Sequence, residues 1–126
     1  MAITPIKDMV MAAKAAITSL STDAAATEVA EGRAVFVDIR DPRELEREGK
    51  LPGAIHAPRG MLEFWVDPAS PYHKEALATD KRLILVCAGA WRSALATKTL
   101  QDMGLENVAE MEGGFSAWKA EGRPID

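Results

Sequence analysis

The run Leu83-Ile84-Leu85-Val86 constrains this chain more than any other stretch. Four consecutive apolar residues with no polar alternation form a strand only when both of its faces are covered, and crossover helices cover both faces of a parallel sheet. The neighbouring segments alternate in the way such a sheet requires. Ala34 to Asp38 reads as a short buried strand, and Asn107 to Met111 as another. Pro5 to Ser19 reads as an amphipathic helix with Ile6, Met9, Val10, Ala13 and Ile17 on one face. Ser21 or Thr22 is placed to cap a helix over Asp23 to Glu31 that Gly32 ends. Asp41 and Pro42 start a helix reaching about Arg47, and Ser70 with Pro71 repeat the signal before Tyr72 to Ala78. Arg92 to Met103 is the helix after the apolar run, with Ala96, Leu100 and Met103 facing inward and Gly104 stopping it. Phe115 to Ala120 is the last, closed by Gly122 and Pro124. A length of 126 residues suits one such α/β domain, with right-handed crossovers and its site at the carboxyl ends of the strands.

Cys87, the only cysteine, stands at that carboxyl end. It opens the loop Cys87-Ala88-Gly89-Ala90-Trp91-Arg92-Ser93, which runs straight into a helix. Successive backbone N–H groups ahead of a helix N-terminus form a concave anion site, because those amides lack intrahelical partners and the helix dipole adds positive character. A thiol at its centre is expected to ionise easily, and Arg92 to attract the oxygens of an anionic substrate. A lone cysteine after a buried strand is equally well a small core residue. The loop alone leaves both readings open.

Four blocks together decide between them: Val35 to Glu44, Gly49 to Pro58, the cysteine loop, and Gly104 to Val108 with Glu112 to Trp118. In that order they resemble the signature blocks of the rhodanese-like sulfurtransferases, over about Thr22 to Pro124. The resemblance implies a rhodanese-like α/β fold, a mostly parallel central sheet flanked by helices on both faces. Residues 21–126 would form that domain, and residues 1–20 a helical extension packed on it. The resemblance also implies that Cys87 carries sulfane sulfur as a persulfide, taken from thiosulfate or a similar donor and passed to a thiol, cyanide or protein acceptor. Ala88, Gly89, Ala90, Trp91, Arg92 and Ser93 would bind the anion, while Asp38 and Arg40 form an ion-paired strand end supporting the loop. No cofactor is called for.

Two rival functions use the same residues. Cysteine-dependent phosphatases place five residues between nucleophile and arginine, whereas here there are four, Ala88 to Trp91; a shorter ring of amides suits one sulfur better than a phosphoryl group. A non-catalytic sulfur carrier or partner-binding module would keep Cys87 and act only through another protein. The loop also departs from the commoner family version, which carries glycine three residues after the cysteine; here Gly89 stands at two and Ala90 at three, so either one amide is aimed differently or the turn flexes at Gly89 instead. Trp91 suits a gate or docking contact as well as simple packing. Met61 to Trp65 reads as core packing of a short helix, with Phe64 and Trp65 alternatively rimming the pocket or joining a partner.

The remaining features exclude more than they propose. A net charge of -4 gives no reason to expect nucleic acid. Lys7, Asp8 and Lys14 interrupt the N-terminal stretch, so a secretory signal or membrane span is not expected, and a thiol catalyst suits a reducing, cytoplasmic setting. His56 and His73 lie apart with no second ligand cluster, which argues against zinc. Gly113-Gly114 lacks the lysine and spacing of a phosphate-binding P-loop and reads as a tight turn into the last helix.

Overall fold

The apolar run becomes the middle strand of five in a computed structural model that describes residues 2–126. The strands are β1 (Ser19–Leu20), β2 (Ala34–Asp38), β3 (Ile55–His56), β4 (Arg82–Val86) and β5 (Val108–Met111), ordered β1-β5-β4-β2-β3 and parallel throughout. The register sets Asp38 beside Val86 and Leu85 beside Glu110, so β2, β4 and β5 finish nearly level at one edge.

Period-two alternation along β4 builds two separate cores. Leu83, Leu85 and Cys87 join Val37, Ile39 and Val108 on one face, under Ala96 and Leu100 of α5 (Arg92–Asp102) and Leu62 of α4 (Leu62–Val66). Ile84 and Val86 join Phe36 and Met111 on the other, against Ala25 of α2 (Thr22–Ala30) and Phe115 and Trp118 of α6 (Gly114–Ala120). The sheet is thus covered on both faces, which is why β4 has no polar side. A third, smaller cluster sets Val10 and Ala13 of α1 (Ile6–Ala16) on Ala94 of α5, with Ile17 and Leu95 beside them. The Gln101 amide donates to the Ala16 carbonyl at 2.8 Å and ties down the end of α1. None of the described helices is long and apolar enough to cross a membrane.

The remaining helix, α3 (Pro42–Glu48), begins with a capping box: the Arg43 N–H donates to Asp41 Oδ1 at 2.8 Å and the Asp41 N–H to Glu44 Oε1 at 3.1 Å. The neighbouring Arg43 guanidinium and N–H hold the Asp41 carboxyl down at about 2.

Four expectations need correction. The first helix ends at Ala16, because Ile17 turns extended and Ser19–Leu20 pair with Glu110–Met111 as an edge strand. Its apolar face is narrower than the periodicity implies: Val10 and Ala13 are buried, whereas Ile6 and Met9 are about half exposed, since only α5 covers that side. Tyr72 to Ala78 is not an α-helix but a 3-10 turn at Glu75–Leu77. There the Ser70 hydroxyl accepts the Tyr72 N–H, and the Lys74 N–H and His73 Nδ1 both engage the Trp65 carbonyl, so the segment's hydrogen bonds are spent on other partners. Met103 caps α5 and is half exposed instead of facing inward.

Asp38 and Arg40 form a buried ion pair at the end of β2, each side chain 1% exposed. Arg40 Nε and Nη2 donate to both carboxylate oxygens at 2.8–3.2 Å, and Nη2 also reaches the Gly49 carbonyl. The guanidinium lies 4.0 Å from the centre of the Phe115 ring, joining this strand end to α6. Leaving either charge buried alone costs far more than the pair itself contributes. Asp38→Ala is therefore expected to lower unfolding free energy by about 3–5 kcal/mol, read from urea denaturation, far more than removal of the exposed Arg43–Asp41 pair.

Candidate active site

Two helix N-termini converge on the loop after β4, and each takes a different set of its atoms. On one side, the N–H groups of Phe115 and Ser116 donate to the carbonyls of Cys87 and Ala88 at 2.8 and 3.0 Å. Because a trans peptide points its N–H opposite to its carbonyl, this turns the Ala88 and Gly89 amides away from α6 and into the loop. The approach is close: a Cβ on Gly114 would meet the Cys87 and Ala88 carbonyl oxygens at 2.4 and 2.7 Å, and Gly114 itself has φ +59. Gly113 shares the left-handed conformation, so the pair forms the tight turn into α6.

On the other side, Trp91 provides no side-chain cap for α5. The cysteine sulfur does that work instead, accepting the Ser93 N–H at 3.3 Å. Sγ also lies 3.5 Å from Ser93 Oγ, to which the thiol donates. Cys87 is 1% exposed and Ser93 is fully buried.

Between the two helices, Ala90 has φ +64 and is buried. The left-handed residue thus sits three places after Cys87, and Gly89, which does not have positive φ, does not take over the turn. The amide path around the loop is retained at a strain of about 1–2 kcal/mol. Trp91 projects to solvent, about half exposed.

Arg92 does not stand free at the mouth. Its Nη1 and Nη2 donate to both carboxylate oxygens of Glu44 at 2.7 and 3.0 Å, a bidentate pair across 48 residues of sequence that periodicity could not reveal. Glu44 Oε1 also closes the capping box of α3, so one carboxylate anchors a helix start and the loop arginine together. The Arg92 bond, helped by the Asp41 N–H, holds the Glu44 carboxyl below its usual range. In turn Glu44, and after it the Cys87 side chain, raise the Arg92 guanidinium.

The other singled-out residues stand further off. Asp38 and Arg40 lie behind the loop in their own buried pair. His56 Nε2 bonds the Arg40 carbonyl at 2.7 Å and His73 engages Trp65, so the two rings serve separate segments. Among the described residues no cluster of three His, Cys, Asp or Glu could hold a metal ion. Leu62 and Trp65 pack on the core, but Phe64 turns outward and half exposed against the Tyr72 ring. Glu110, fully buried on β5 and bonded to Ser93 at 2.8 Å, is the residue that sequence reasoning missed. A charged residue inside an otherwise apolar strand was the available signal.

Residues 21–121 match the rhodanese-like domain family. A sulfurtransferase from Allochromatium vinosum is 30% identical over 91 residues, 72% of this chain and 77% of that protein. An uncharacterised Bacillus subtilis protein is 31% identical over 68% of this chain, which spans only 61% of that relative's length. Among solved structures, a Rhodopseudomonas palustris protein of unknown function, described as a possible tyrosine phosphatase, is 51% identical, with TM-score 0.94 over 100% of this chain and 97% of that one. The polysulfide-sulfur transferase homodimer of Wolinella succinogenes is 34% identical, with TM-score 0.72 over 95% of this chain and 85% of that one.

Two outcomes follow from the geometry. Gly114→Ala, forced both into a left-handed conformation and against two carbonyls, is expected to lose at least about 2 kcal/mol of stability in thermal unfolding and to displace the Cys87 loop. Glu44 has its carboxyl lowered by folding, so the stability it contributes is complete above its ordinary value of 4.5 and is lost as pH falls through the lower folded value. Acid titration of unfolding is expected to fall more steeply in the wild type than in Glu44→Gln over that window.

Proposed function

This chain belongs to the rhodanese-like family, and from that premise we propose that it is a sulfurtransferase that carries one sulfane sulfur on Cys87. The observation that supports this most directly is the position of Sγ, which caps the N-terminus of α5 by accepting the Ser93 N–H inside a loop whose Ala88 and Gly89 amides face inward. Such donors stabilise a negatively charged sulfur, in the resting thiolate and in the loaded form alike.

With thiosulfate as donor, the Cys87 thiolate attacks the outer sulfur. A new Sγ–S bond forms, the S–S bond of thiosulfate breaks, and sulfite leaves with the bonding electron pair. The persulfide anion then yields its outer sulfur to an acceptor nucleophile such as cyanide, a thiol or a protein thiolate, which regenerates the Cys87 thiolate. Ionisation alone supplies little of the rate: lowering a thiol from about 8.5 to about 6.5 raises its thiolate fraction roughly 25-fold at pH 7, but costs nearly eightfold in nucleophilicity. Placement of the donor and stabilisation of the developing charge by the loop supply the rest. Arg92 is held for that role by its bidentate pair with Glu44 and retains its own charge.

Phosphate-ester hydrolysis is the second reading, favoured by the description of the R. palustris neighbour. The four-residue spacing from Cys87 to Arg92 weighs against it, because three phosphoryl oxygens need a wider ring of amides than one sulfur atom.

Incubation with thiosulfate followed by intact-mass measurement is expected to add one sulfur to the wild type, removable by cyanide and absent in Cys87→Ser. Arg92→Ala is expected to weaken thiosulfate use by about 1.5–3 kcal/mol, with Arg92→Lys intermediate because it keeps the charge and loses the planar fork. Efficient hydrolysis of an aryl phosphate with no sulfur loading would replace this reading with the second one.

A further inference from the structure

A buried charge lies beneath the nucleophile, and the loop chemistry does not account for it. Glu110 is fully buried on the face of β5 that α5 covers, and three donors converge on its carboxylate. Lys14 Nζ of α1 reaches Oε2 at 2.6 Å, Ser19 Oγ of β1 reaches Oε2 at 2.8 Å, and Ser93 Oγ of α5 reaches Oε1 at 2.8 Å. Burial of a carboxylate without such partners would be prohibitive, and here a cation and two hydroxyls compensate it. Lys14 and Ser19 both precede the segment that matches the family, which begins at residue 21.

The arrangement fixes the direction of a hydrogen-bond chain. A carboxylate only accepts, so the single proton of the Ser93 hydroxyl is committed to Glu110. What Ser93 Oγ then presents to Cys87, 3.5 Å away, is a lone pair, which accepts from a thiol and repels a thiolate. The Ser93 backbone N–H at 3.3 Å acts in the opposite sense. The same residue therefore restrains the thiol proton through its side chain and favours the anion through its main chain. The other charges around the loop are already paired, Arg92 of α5 with Glu44 of α3 and Arg40 with Asp38 on β2, and His56 of β3 is bonded to the Arg40 carbonyl.

We infer that Glu110 and Lys14 are positioning residues for Cys87: by holding the Ser93 hydroxyl proton they make its oxygen an acceptor toward the sulfur and so oppose ionisation that the loop amides favour, making the N-terminal helix part of the active site. The inference rests on the reading of Cys87 as the nucleophile.

The test is the pH dependence of Cys87 alkylation by iodoacetamide, followed by intact mass; the chain has no other thiol to confuse the reading. Glu110→Gln keeps the shape but no longer commands the hydroxyl proton, which becomes free to donate to sulfur. The alkylation midpoint is expected to fall by about one pH unit, the scale of one hydrogen bond to a charged sulfur. In a Ser93→Ala background the same change is expected to move the midpoint much less, because the hydroxyl that transmits it is gone. Lys14→Met, which leaves the buried carboxylate without its cation and drives it toward the neutral acid, is expected to shift the midpoint in the same direction, with Lys14→Arg restoring it. If Glu110→Gln does not fold, Ser93→Ala alone, which removes the thiol's acceptor, must still lower the midpoint.

An unmoved midpoint in Glu110→Gln, a shift of equal size with and without the Ser93 hydroxyl, or a midpoint raised by Lys14→Met would overturn the inference. Alkylation requires no sulfur donor. The outcome is therefore separate from the persulfide measurement, and either reading can fail without the other.

Discussion

The loop after β4 must satisfy two helix N-termini at once, and that demand dictates the rest of the site. The start of α6 takes the Cys87 and Ala88 carbonyls, while the start of α5 takes the cysteine sulfur. A single peptide cannot aim its carbonyl and its N–H to the same side, so satisfying α6 is what turns the amides inward. Gly114 is the admission ticket for this contact, since its missing Cβ lets α6 come within reach of the two carbonyls. The inward turn of the loop amides is thus a by-product of helix capping, enforced by groups that would otherwise be buried without partners.

Around this core the charged residues form a frame of pairs. Arg40 with Asp38 fixes the end of β2 against Phe115, and Glu44 couples the α3 cap to Arg92. Lys14 with Glu110 connects α1 to the floor of the loop. These pairs matter less for net stability than for geometry, because each positions an element that contributes an atom to the site and becomes costly when one partner is lost.

How much of this could be read from sequence depended on distance along the chain. Leu83–Val86 and the α3 start are contiguous patterns whose physics is local, and they fold as the patterns imply. β1 and β3, at two residues each, are too short to show any period, and they exist only because a neighbouring strand supplies their hydrogen bonds. Arg92 with Glu44 and Lys14 with Glu110 join residues 48 and 96 positions apart, so no window contains both partners. The segment after Pro71 carried an honest start signal, but the Trp65 carbonyl competed for its donors and won. Ala90 is the reverse case: alanine argued against positive φ, and the two capped helix ends impose it regardless.

The depth of Cys87 bears on which form of the site a second molecule can touch. At 1% exposure the bare sulfur lies below the surface of the loop. Under the sulfur transfer proposed above, a sulfur bonded to it would extend the side chain by about 2 Å, the length of an S–S bond, and this outer atom would be the one handed on. Occupancy alone would then change reach: the empty side chain is recessed from large reactants, while the loaded one would hold its outer sulfur one bond length beyond Sγ. A collision partner could in this way distinguish a charged carrier from a spent one by touch, with no movement of the backbone.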